Sequence, residues 1–183
     1  GGIVGINSGT TGNFSHVNGT LNITIDDSTG AQVVGVGGIA GANAGTIDDA
    51  SGTLSVADSN AVQLRAVSFV GGVAGANSGT ISNAFSTGNV SGINNVGGLA
   101  GSNTGSISNS YALGTVSSSI KSGATGYIGG LVGNNDGLIS NSFFIGTVNG
   151  VVGATGTTGT GGLVGINNTK GQIMDTYASA TVN

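Results

Sequence analysis

The chain of 183 residues has no cysteine, proline, tryptophan or glutamate. Without cysteine there is no disulfide framework, no thiolate zinc site and no thiol nucleophile, and a single histidine, His16, cannot build a multi-histidine metal centre. Only ten residues are charged, Arg65, Lys121 and Lys170 against seven Asp, for a net charge of -4. Three cations leave no electrostatic footprint for nucleic acid or an anionic membrane, so neither partner is expected. Long apolar runs are also missing. Val33-Val34 and Val151-Val152 are cut by Gly within a few residues, far short of the ~20 needed to span a bilayer, so no membrane insertion is expected. The opening Gly1-Gly2-Ile3-Val4-Gly5 has no basic signal-peptide region, which points to an excised or processed piece of a longer protein.

Glycine is abundant, 39 of 183 residues, but without proline or a strict three-residue period it does not make collagen. A hydrophobic share of 37% and a positive mean hydropathy argue against a disordered polar chain.

The glycines instead mark a repeat. Gly-Gly-(Ile/Val/Leu)-(Ala/Val)-Gly-x-Asn opens at Gly1, Gly37, Gly71, Gly97, Gly129 and Gly161, at spacings of 36, 34, 26, 32 and 32. One column runs through Asn7, Asn43, Asn77, Asn103, Asn135 and Asn167, and a Gly column follows at 9, 45, 79, 105, 137 and 171. Next come Ile47, Ile81, Ile107, Ile139 and Ile173, and two residues later Asp49, Asn83, Asn109, Asn141 and Asp175. Four units then carry an aromatic, Phe85, Tyr111, Phe143 and Tyr177, and a step ending at Leu21, Leu54, Val90, Val116, Val148 and Val182 closes each unit.

Like residues fall two apart, as in Thr80-Ile81-Ser82, which is the strand period, and so many glycines starve any helix of propensity. Asn-x-Gly, as in Asn77-Ser78-Gly79, supplies turn chemistry. Each unit therefore predicts strand, corner, strand, corner, strand and a variable tail. A unit this small cannot bury its own apolar face, so units must stack with equivalent strands paired in parallel, about 4.8 Å apart. The expected fold is all-β: one domain over residues 1–183, a parallel β-solenoid of about six coils and on the order of 25–30 Å long. Its core would consist of ladders: the Ile column, the aromatic column, the apolar third position and the closing Val/Leu. Both Asn columns are expected to bond along the axis, sparing buried amides a cost of about 1–3 kcal/mol each. The direction of the fourth-position Ala/Val is open, because strict alternation would put either it or its neighbour outside. The tails 22–36, 55–70, 117–128 and 149–160 are expected to project or to lengthen strands on one side.

The units from Gly97 to Val116 and from Gly129 to Val148 resemble the GLUG-type repeat of bacterial surface and secreted proteins. That resemblance covers the core of all six units, with the third to fifth nearest and the first, second and sixth departing by His16, Ser51 and the extra residues 168–170. It implies a stalk or passenger segment of an exported protein, such as a filamentous-haemagglutinin-like adhesin, an autotransporter passenger or the non-catalytic part of a secreted peptidase. It brings no catalytic residues and no cofactor.

The residues offer little chemistry of their own. Asp26-Asp27 and Asp48-Asp49 are the acidic pairs, but neighbours on a strand point to opposite faces and the pairs fall at different places in their repeats, so no glycosidase-like acid and base is implied. The Asp residues do not recur with the period, as a calcium-binding roll requires. The candidate surface is polar and uncharged: Thr46 with Asp48, Thr80 with Ser82, Ser106 with Ser108, and a row of Thr20, Thr53, Thr115, Thr147 and Thr181. Such an array suits ice or a carbohydrate, although Thr is also a good outward strand residue.

The function expected from these residues and the resemblance is a non-enzymatic stalk or adhesive scaffold at the bacterial surface or outside the cell. Host-surface or matrix glycans are the partners that role suggests. The alternative is a filament subunit, since core strands at each end with no Pro or amphipathic cap suit either further coils or identical subunits stacked end to end.

Overall fold

A computed structural model describes residues 1–11, 20–25, 35–58, 69–118, 125–150 and 158–183; for 10–11, 20–25 and 51–58 it describes the backbone alone. Among the described residues all regular structure is strand, and every pairing is parallel. The expected β-solenoid is the fold. Each turn has four sides rather than the three strands expected. The first side stacks Val4–Asn7, Ala40–Asn43, Ala74–Asn77, Ala100–Asn103, Val132–Asn135 and Val164–Asn167. The second stacks Thr10–Thr11, Thr46–Asp48, Thr80–Ser82, Ser106–Ser108, Leu138–Ser140 and Gln172–Met174. On the third side lie Thr20–Ile25, Ser51–Asp58, the pair Phe85–Ser86 and Val90–Gly92, Tyr111–Ser118, Phe143–Asn149 and Tyr177–Val182. The fourth comprises Gly35–Gly37, Phe69–Gly71, Asn95–Gly97, Gly126–Gly129 and Thr158–Gly161. This extra side is built from the ends of the predicted tails, and their beginnings lengthen the third-side strands. Residues 12–19, 26–34, 59–68, 119–124 and 151–157 lie outside the described residues, and with them His16, Asp26 and Asp27.

Six coils were expected, but the enclosed turns are those opening at Gly37, Gly71, Gly97 and Gly129. Ile47, Ile81, Ile107 and Ile139 are fully buried there, whereas Ile173 in the following turn is 38% exposed. The buried columns include those same Ile residues, the third-position Ile39, Val73, Leu99 and Leu131, Val90, Val116 and Val148, and on the fourth side Val36, Val70, Val96 and Ile128.

The fourth-position question resolves in favour of both neighbours facing in. Ala40, Ala74, Ala100 and Val132 are buried beside the third-position residues, because the chain bends at Gly-Gly-(Ile/Val/Leu) and the bend interrupts alternation. At the second glycine of that pair the core presses close. A Cβ on Gly98 would meet the Gly130 carbonyl and Ala112, and one on Gly130 would meet the Phe144 ring, so absence of a side chain here makes room for the bulk of the third side.

Two expectations about the core are corrected. The aromatic column is not inside: Phe85, Tyr111 and Phe143 are half-buried and Tyr177 is 55% exposed. The positions that point inward are its neighbours Ala84, Ser110 and Ser142 on one side and Ser86, Ala112 and Phe144 on the other. The rings still stack along the axis, at centroid separations of 4.9, 4.8 and 5.1 Å and within 7° of parallel. The closing step is the second correction. Val56, not Leu54, pairs with Val90, while Leu54 pairs with Leu21, so the second repeat is two residues out of the expected register.

Among the described residues, Ser86 is an inward position where the core is mismatched. Its hydroxyl is buried without a hydrogen-bond partner, and the residue stacked on it is Ala112. Ser86→Ala removes an orphan polar group at a site already shaped for Ala, and is expected to stabilise the fold by about 1 kcal/mol. Thermal unfolding checks this: a Tm raised by a few degrees is the expected result, and a lowered one contradicts it.

Candidate functional site

The strongest side-chain constellation is the first Asn column, which turns the corner between the first and second sides. Asn7 Nδ2 donates to Asn43 Oδ1 at 2.7 Å, Asn43 to Asn77 at 2.7 Å, Asn77 to Asn103 at 2.8 Å, Asn103 to Asn135 at 2.9 Å and Asn135 to Asn167 at 2.7 Å. The same nitrogens reach main-chain carbonyls of the next turn, Thr46, Thr80, Ser106 and Leu138, at 3.1–3.3 Å. A side-chain amide has two donor protons and an acceptor oxygen, and this corner uses all three. The Gly column two residues on admits the close approach: a Cβ on Gly45, Gly79, Gly105 or Gly137 would run into the carbonyl of the corresponding Gly one turn back.

The second Asn/Asp column does not form such a ladder. Asp49, Asn83, Asn109, Asn141 and Asp175 have φ of 46–53°, and all five are exposed. Their role is conformational, a left-handed corner between the second and third sides that Asn and Asp tolerate better than other residues with a Cβ. The left-handed residue of each turn is therefore here, not in Asn-x-Gly.

The polar columns predicted to face outward do so on the second side. Thr46, Thr80 and Ser106 stack in register, as do Asp48, Ser82, Ser108 and Ser140, all half-buried. Ser106 Oγ donates to Thr80 Oγ1 at 3.3 Å. Asp48 accepts from Ser82 Oγ at 2.6 Å and from Asn83 Nδ2 at 2.9 Å, donors that hold its carboxyl below the usual range. The first of these columns continues into Leu138 and Gln172, and the second ends on Met174. Thr115, Thr147 and Thr181 stack on the third side, but Thr53 pairs only with Thr20, so the long Thr row breaks in two. The left-handed corner lies between the two arrays, and they do not merge into one face.

Sequence reasoning missed the surface character of the third side. There the aromatic ladder runs beside the half-buried Leu113 and the 43% exposed Ile145, with the Thr column beyond. The signal that could have found it is the left-handed residue two positions before each aromatic, which resets the alternation. Asp48 and Asp49 are neighbours at a corner, and among the described residues no three acidic or histidine side chains gather as metal ligands do.

Comparison with known proteins gives one positive result. No curated protein and no solved structure matches the chain. The family model described as the GLUG motif matches residues 92–117 and 124–149, stretches that contain all but the last residue of the third-side strand Tyr111–Ser118 and all of Phe143–Asn149, with their Asn, Ile and aromatic columns. Over those residues the chain is similar to the GLUG repeat.

Proposed function

We propose that this chain is a non-enzymatic structural scaffold, a stalk or adhesive segment of a bacterial protein exposed at the cell surface or secreted. The observation that carries the reading is the uninterrupted axial bonding. One Asn column joins all six repeats, and every side of the tube is a parallel sheet crossing at least five of them. Such a structure gains length by adding turns without changing its cross-section. Its stacked amides and continuous core supply the rigidity that disulfides give other extracellular proteins. The GLUG match accords with this role. On this reading the outward columns of the second and third sides meet the outside.

Labelling of intact producing cells with antibodies against residues 71–150 tests the proposal. Staining without permeabilisation, abolished by brief external protease, is the expected result. Signal confined to the interior of permeabilised cells overturns it. Sedimentation of the purified chain separates the stalk from the filament: a stalk segment stays monomeric over a wide concentration range, while concentration-dependent fibres favour end-to-end assembly.

A further inference from the structure

Asn149 is followed by Gly150, a pairing in which no side chain on the second residue shields the backbone nitrogen from the preceding amide. The Gly150 nitrogen, once deprotonated, can attack the Asn149 side-chain carbonyl carbon. A C–N bond forms, ammonia leaves, and a five-membered succinimide results. Water then opens the ring at either carbonyl, giving Asp or isoaspartate; one water is consumed and one ammonia released.

In the fold, both reacting groups are held by one residue of the next turn. The Gly150 N–H donates to the Asn183 carbonyl at 2.9 Å, and Asn183 Nδ2 donates to Asn149 Oδ1 at 2.9 Å. Asn183 is itself anchored by its N–H to the Val148 carbonyl at 3.0 Å. The nucleophile is thus occupied as a donor and the amide is fixed in one orientation. Asn149 is also the last residue of a strand paired to Ser117 on the turn before, and extended backbone does not bring a side-chain carbonyl onto the next nitrogen. Asn183, which provides this protection, directly follows the strand Tyr177–Val182. A local opening that breaks these contacts frees the amide and the nitrogen together.

We propose that Asn149 is a site of spontaneous modification, its amide converted to Asp or isoaspartate when its contacts and those of Gly150 with Asn183 open. The isoaspartyl product carries the chain through the former side chain and adds one methylene to the backbone. Gly150 then no longer meets Asn183, and the strand cannot return to register. A reversible opening becomes a permanent one.

The test follows conversion at Asn149 by peptide mapping of the full chain in mildly alkaline buffer, folded and in urea. Asn183→Ala is measured alongside, and hydrogen exchange of the Gly150 amide is read in both proteins. Conversion at least ~10-fold slower in the folded wild type than in urea is expected, with the difference narrowed in the Ala variant and Gly150 exchange accelerated in parallel. Equal rates in folded and unfolded wild type overturn the proposal, as does absence of conversion in urea. Should the Ala variant lose its strand signal by circular dichroism, the wild-type comparison decides alone: slower conversion when folded supports the gate and equal conversion removes it.

Discussion

Replacing Asn103 by Asp is expected to cost about 3–5 kcal/mol at neutral pH, the effect of an uncompensated charge in a buried polar network. Asn103 is fully buried, accepts from Asn77 and donates to Asn135 and to the Leu138 carbonyl. A carboxylate keeps the first bond and turns the other two into contacts between acceptors. The folded chain therefore favours the protonated acid, which raises the carboxyl pKa above its unfolded value. A raised pKa in an acid means that the folded state binds more protons than the unfolded one, so the penalty is present at high pH and shrinks as pH falls through the raised value. Denaturant melts of Asn103→Asp across the acid range check both magnitude and sign. A penalty that grows on acidification, or one below ~1 kcal/mol throughout, means that the amide column contributes little.

The second large effect belongs to Gly105. An added methyl would collide with the main-chain carbonyl of Gly79, which accepts the Ser106 N–H at 2.9 Å and so has nowhere to move. Gly105→Ala is expected to destabilise by about 3 kcal/mol, the upper end of overpacking costs, and to lower Tm by ~10 °C in a chain of this length. Gly9→Ala, in the same column, is the internal control: nothing lies within 4 Å of the added carbon, and little change is expected. Parallel thermal melts of the two variants are sufficient. Similar losses in both would mean that backbone freedom, and not contact between turns, explains the column.

Much of this architecture was legible because a solenoid writes its structure as recurrence. Asn77, Asn103 and Asn135 recur with Ile81, Ile107 and Ile139 at fixed offsets, and those offsets are the stacking register. Depth was harder to read than register. Ile81 and Phe85 are four apart, so counting in twos puts both on one face, but Asn83 lies between them at φ 50° and reverses the parity. The bend at Gly72-Val73 has the opposite effect, turning two adjacent residues inward where alternation allows one. Both devices are single-residue departures from the strand backbone, and a periodic pattern passes over them without a break. The surface character of the third side was missed for the same reason: the aromatics, once assigned to the core, left only the Thr and Ser columns to consider. The register of the second repeat was hidden by composition, since Leu54 and Val56 fit the closing column equally well until a partner strand chooses between them.

The Asn column has a sense of direction. Each of the five amide–amide bonds between Asn7 and Asn167 runs from the nitrogen of the earlier turn to the oxygen of the later one, so the dipoles add and none is reversed. Two such columns related by a twofold axis across an end would meet oxygen to oxygen or nitrogen to nitrogen. Translation along the axis with a small rotation is the symmetry that keeps donor against acceptor, and repeated without closure it generates a polar one-dimensional array. Coaxial contacts between turns of this kind, within one chain or between chains, are accordingly heterologous, and the two faces of any such contact must be different surfaces.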